Sequence, residues 1–163
     1  MTIISDTTCL SALTRIGALQ LLHSLFGKVT IPFKVYEELS ALQAFGVDTN
    51  IFDQLNWLVI QEPSASALMD SLLANKRIDI GEANAIALAV ELQADWLVLD
   101  DLNARKVALD LGLNITGLGG ILLQAKTVGL IASVKEVLDL CIMKANFRLS
   151  SNVYDHLLEL AGE

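Results

Sequence analysis

Five short runs of β-branched and aliphatic residues recur along the chain, each followed by a segment of helical length. They are residues 2–5, Val29-Thr30-Ile31, Trp57-Leu58-Val59-Ile60, Trp96-Leu97-Val98-Leu99 and 113–116. Strands of this kind alternating with helices indicate a parallel sheet covered by helices, an α/β fold. In such a sheet the carboxyl ends of the strands face the crevice where ligands bind. Two of the runs end there in acid: Ile3-Ile4-Ser5-Asp6-Thr7-Thr8 and Leu97-Val98-Leu99-Asp100-Asp101.

The intervening segments carry helical punctuation. Residues 10–26 read as two short helices marked off by Gly17 and Gly27, and Pro32 stands in the first turn of a helix over 33–42. A turn is expected over 44–50 and helical spacing returns over 65–74. Asp79-Ile80-Gly81-Glu82 opens an alanine-rich helix running to about Leu92. Helices over 102–111 and 118–128 end at Gly112 and Gly129, and two amphipathic helices over 133–145 and 150–160 flank Phe147-Arg148-Leu149. With 163 residues and 53% hydrophobic content the chain suits one domain over 1–163. The expected division is a core over 1–130 and a C-terminal helical extension over 131–163.

Composition narrows the function classes. Cys9 and Cys141 stand alone, which excludes a disulfide scaffold or zinc knuckle and suits a reducing cytoplasm. No segment reaches the roughly 18 uninterrupted apolar residues of a membrane span, and the start lacks a basic and apolar leader, so a soluble cytoplasmic protein is expected. A net charge of -8 opposes passive adhesion to nucleic acid. A polyanionic substrate would therefore need metal ions or a local basic rim.

Four carboxylates stand out. Asp6 can cap the following helix, but Thr8 can do that instead and free Asp6 for a ligand, with Thr7 or Thr8 orienting a water. At about 100° per residue, with Val35 at zero, Glu38 falls at about -60°, on the edge of the apolar stripe, while Glu37 falls at about 200°, facing away. A carboxylate beside a buried stripe is costly unless paired or metal-bound. Glu82 completes a capping box with Asp79, and a first-turn Glu can still lean over neighbouring strand ends. Of Asp100 and Asp101 one is needed as helix cap; Asp100 is read as the metal ligand and Asp101 as cap or outer partner.

Four converging acids would repel one another and raise each other's pKa, so the cluster makes sense with divalent cations. Oxygen ligands without Cys or His select Mg²⁺ or Mn²⁺, which activate water for displacement at phosphorus. Arg105 and Lys106, one turn beyond the Asp pair, are candidates to contact a phosphate backbone.

The order and spacing of these motifs resemble the PIN domain family: Ile3-Ile4-Ser5-Asp6-Thr7-Thr8, then Pro32 with Val35-Tyr36-Glu37-Glu38-Leu39, then Gly81-Glu82-Ala83, then Leu97-Val98-Leu99-Asp100-Asp101. The resemblance covers roughly residues 2–130, and the tail around Arg148-Leu149-Ser150 looks like a PIN-like subfamily described as nucleic-acid-binding. It implies a three-layer α/β/α sandwich around a mostly parallel sheet, with Asp6, Glu38, Glu82 and Asp100 as ligands of Mg²⁺ or Mn²⁺. It also implies metal-dependent cleavage of single-stranded RNA, a homodimer, and the role of toxin with an antitoxin partner. Glu82 stands where many members have Asp, and Val98 where many have Thr or Ser.

Two other readings compete. One is a non-catalytic PIN-like interaction module that keeps its acids for structure. The other, a receiver-like or phosphatase-like domain with an Asp nucleophile, is disfavoured because the first strand lacks a DxD motif and no Lys follows a later strand at an obvious position.

Overall fold

A computed structural model describes residues 1–163. Its centre is a five-stranded sheet of β1 (Ile3–Ser5), β2 (Val29–Ile31), β3 (Leu58–Ile60), β4 (Trp96–Val98) and β5 (Ile115–Thr116), in the order β3-β2-β1-β4-β5. Every pairing is parallel, with Ile4 opposite both Thr30 and Leu97, and Val98 opposite Thr116. The sheet is thus wholly rather than mostly parallel. Each link between strands is a crossover that carries helix, which returns the chain to the same end of the sheet.

Side chains alternate across each strand, so β1 feeds two cores. Ile3, with Val29, Ile31 and Val98, enters a cluster with α1 (Thr7–Arg15), α2 (Gln20–Phe26), α3 (Phe33–Ser40), α7 (Leu118–Thr127) and α8 (Val134–Ala145). Ile4, with Leu97 and Leu99, enters a second cluster with α4 (Ala67–Ala74), α5 (Ile80–Glu91) and α6 (Leu102–Asp110). Helices on both faces of the sheet make the three-layer α/β/α sandwich. The inner strands need apolar side chains on both faces, and β1 and β2 are buried throughout.

Local departures from the expected elements have local causes. α3 begins at Phe33 as expected, with Pro32 at its N-cap in extended backbone at φ -62° and ψ 152°. The same helix ends at Ser40, two residues early, and tightens into a 3₁₀ turn, Ala41–Phe45, that runs into the expected turn at 44; Gly46 closes it at φ 81°. The expected C-terminal extension is no appendage. Val134, Leu138 and Cys141 of α8 are fully buried in the first cluster, and α9 (Ser151–Ala161) packs on α7 and α8. No helix is long and apolar enough to cross a membrane.

Candidate metal centre

The strand order places one crevice. From β1 the chain moves outward to β2 and β3, then returns to β4 on the other side of β1, so the crossovers leave in opposite directions at the β1/β4 boundary. Such a switch point opens a crevice at the carboxyl ends of the strands. Asp6 stands there: its N–H donates to the Val98 carbonyl at 3.0 Å, carrying the β1–β4 ladder one residue past the strand.

Asp6 also occupies the N-cap position of α1, yet its side chain makes no capping hydrogen bond. The expectation that Thr8 caps this helix is corrected. Extended backbone at Asp6 gives way to helix at Thr7, so Thr8 lies inside the first turn, exposed. Asp6 is only 5% exposed. Burial pushes its carboxyl up to about 8, the Thr7 N–H opposes that rise, and Asp79, Glu82 and Glu38 add to it in that order.

Glu38 reaches the same place from α3. The helical arithmetic holds: Glu38 is half-buried, whereas Glu37 is exposed and pairs with Lys34 at 3.7 Å. The Thr7 hydroxyl donates to Glu38 Oε2. Both Glu38 oxygens lie 2.7 Å from where a Cβ on Gly81 would stand, so only glycine leaves this carboxylate its seat against the first turn of α5. Burial raises the Glu38 pKa, with the Thr7 hydrogen bond opposing it.

Glu82 combines two roles that the sequence left open. The capping box is formed: Asp79 Oδ1 accepts from the Glu82 N–H at 2.7 Å, and Glu82 Oε2 accepts from the Asp79 N–H at 2.8 Å. The residue is nevertheless 7% exposed and faces other acids. Burial pushes it up to about 7, against the Asp79 N–H, and Asp79, Asp101 and Glu38 push further.

In the last acidic pair the cap falls to Asp101, as expected. Asp101 is the cap of α6, its Oδ1 accepting from the Ala104 N–H at 2.9 Å, and its charge also acts on Glu82. Asp100 turns to the start of α7 and accepts from the Leu118 N–H at 3.0 and 3.3 Å. A side chain at Gly117 would collide with it. Burial takes Asp100 up to about 6, and the Leu118 N–H and the Arg105 guanidinium pull it back. The structure therefore places Asp79, Glu82 and Glu38 around Asp6, with Asp101 acting on Glu82, while Asp100 is turned to Leu118 on the wall that it shares with Glu82 and Asp101.

A cleft of about 520 Å³ opens beside the site: Thr7, Thr8, Glu82, Asp100, Asp101 and Arg148 are on its wall, whereas Asp6 and Glu38 are not. Arg105 donates through Nη1 to the Leu99 carbonyl at 2.7 Å and lines a neighbouring cavity. Lys106 is exposed and lines neither. Two residues escaped the sequence reading of the site. Asp79 was taken only as a cap, although an acid three residues before Glu82 on a helix start had to share its surroundings. Arg148 was a cation in the link between two helices, and its nearness to the acids needed the fold.

The donor set suits a hard divalent cation, being oxygen-only and raised in pKa chiefly by burial, with neighbouring acids adding to it. No three of the carboxylates are close enough in this side-chain arrangement to share one ion. Glu38, Glu82 and Asp101 are each turned onto a donor of the protein. The donor chemistry fits, and shared ligation requires these side chains to turn towards one another.

Among solved structures, the chain is similar to a PilT N-terminus domain protein from the hyperthermophilic archaeon Sulfolobus solfataricus. The two are 18% identical over 77% of this chain and 93% of that one, with a TM-score of 0.49. No curated protein matches. A family model described as a PIN domain matches residues 2–163, nearly the whole chain and all four acidic motifs. PIN domains are generally nucleases and usually use divalent metal ions. With the model spanning all of the strands and helices described above, this chain belongs to the PIN domain family.

Proposed function

We propose that this protein is a Mg²⁺- or Mn²⁺-dependent endoribonuclease acting on single-stranded RNA. The observation that supports this most is the gathering of Asp6, Glu38 and Glu82 at the β1/β4 switch point, where their mutual repulsion calls for a cation. Asp6, Glu38 and Glu82 would hold the metal, with Asp101 next to Glu82 and Asp100 on the cleft wall. When bound, the cation supplies neutralisation of charge at phosphorus and a more acidic water.

The protein's own groups do the orienting. The Thr7 hydroxyl fixes Glu38 through Oε2 and the Asp79 N–H fixes Glu82 through Oε2, so the Oε1 of each has no protein donor. Thr8 and Arg148 stand exposed on the cleft wall to meet the strand. A second copy of the chain and a small antitoxin are the partners this reading carries from the family, and the toxin role goes with them.

The test is cleavage of a labelled single-stranded RNA with Mn²⁺. Wild-type protein is expected to cut, EDTA to stop it, and Asp6→Asn to slow it by about 100-fold or more. Equal rates for Asp6→Asn and wild type would refute the assignment. A second reading, the non-catalytic interaction module, draws on the protein donors that Glu38, Glu82 and Asp101 already have. It expects no Mn²⁺ binding at millimolar metal by calorimetry, with normal folding.

A further inference from the structure

Beside the acid cleft lies a second cavity, of about 470 Å³, between α6, the start of α7 and the α8–α9 link. The two share Asp100, Leu102, Phe147 and Arg148, so they adjoin across these side chains and together line one groove-like face. Its ends differ in charge. Glu82 and Asp101 lie on the cleft side, whereas Arg105 belongs to the second cavity and Arg148 to both. Arg148 forms no ion pair, although the chain carries 19 acids against 11 Lys and Arg.

The wall that carries Arg148 is built to hold still. Asn146 ends α8 in the left-handed conformation at φ 53°, and the Phe147 N–H donates back to the Cys141 carbonyl at 3.1 Å. Phe147, half-buried against the first core cluster, and the exposed Arg148 follow from that turn and both line the cavity. The rest of the lining is mixed: Ile115, Val153 and Leu157 give it an apolar side, and Asp100, Thr116 and Ser150 a polar one. A pocket of this size with an apolar side and a few convergent polar groups suits a small planar ligand. An aromatic ring beside an unpaired guanidinium suits a base stacked next to its phosphate.

We propose that this cavity is a nucleotide subsite, taking the base and phosphate of the nucleotide that adjoins the scissile phosphate in the acid cleft. The inference rests on the nuclease reading for its substrate and adds to it a residue, Arg148, that positions the strand, together with a pocket that selects for a base. It also accounts for how so acidic a protein holds a polyanion: the local cations stand in the same groove as the acids.

Two measurements on the full chain test it. In the first, a nucleoside 5′-monophosphate without metal is expected to shift the methyl resonances of Ile115, Val153 and Leu157, whereas inorganic phosphate at the same concentration leaves them in place. In the second, Arg148→Ala and Val153→Trp are each expected to raise KM for a short single-stranded RNA about tenfold, with kcat within about twofold. Mn²⁺ affinity should be unchanged in both. Both positions are exposed, so folding is not at stake. Wild-type KM in both variants, or nucleotide shifts absent from those methyls, would overturn the subsite. A wild-type chain that cuts no RNA would instead overturn the nuclease reading, while the nucleotide titration, which needs no cleavage, would still decide the subsite.

Discussion

Burial of Asp6 beside Asp79, Glu82 and Glu38 disfavours its charged form, and the same holds in lesser degree for Glu82 and Asp100. Their pKa values stand at about 8, 7 and 6, above the ordinary carboxylate range. Between about pH 4 and pH 8 the folded chain therefore holds protons that the unfolded chain releases, and stability falls as pH rises through that window. Glu163 works in the opposite sense. Held at about 2 by the Ser133 hydroxyl, Lys126 and the N–H groups of Val134 and Lys135, it loses its contribution only as pH falls below the ordinary range. Without divalent metal, thermal melts should show Tm falling between pH 5 and pH 8, and Asp6→Asn should flatten that fall. At pH 8 the variant should melt about 3–6 °C above wild type. A second residue prediction separates function from stability. Gly81→Ala pushes its Cβ into the end of the flexible Glu38 side chain, so Glu38 swings aside. Unfolding should cost less than about 1 kcal/mol, while Mn²⁺ affinity measured by calorimetry drops at least about tenfold.

At the scale of elements, most of the architecture was legible because each signal was local. The β-branched runs became strands, and Asp79 with Glu82 became a capping box. Glu38 and Glu37 divided by their angle from Val35. What was not legible depended on the partner across space. Nothing within Asp100-Asp101 tells that α7 begins within reach of Asp100; that contact exists because β5 pairs with β4 and delivers Gly117 and Leu118 there. Likewise the C-terminal helices read as an extension, since their amphipathic pattern does not say which surface they cover. Two substitutions measure these points by denaturant unfolding. Leu138→Ala, in the fully buried face of α8, should cost about 2–5 kcal/mol, as a core position does. Asp101→Ala should cost about 1 kcal/mol through the lost cap of α6, and Asp101→Asn should retain most of it.

For the whole molecule, a wholly parallel sheet in the order β3-β2-β1-β4-β5 makes one crevice, where Asp6 is buried near chain-distant Glu38 and Glu82 at the cost of native stability. A cation would reverse that cost, and the sign of the reversal is what makes the claim testable. The direct measurement is the melting temperature of wild type and Asp6→Asn at pH 8, each with EDTA and with millimolar Mn²⁺. The account predicts a crossing: Asp6→Asn melts higher in EDTA, and Mn²⁺ raises wild type by several degrees while leaving the variant nearly unmoved. A wild-type Tm that Mn²⁺ does not raise, or raises no more than that of Asp6→Asn, would contradict it.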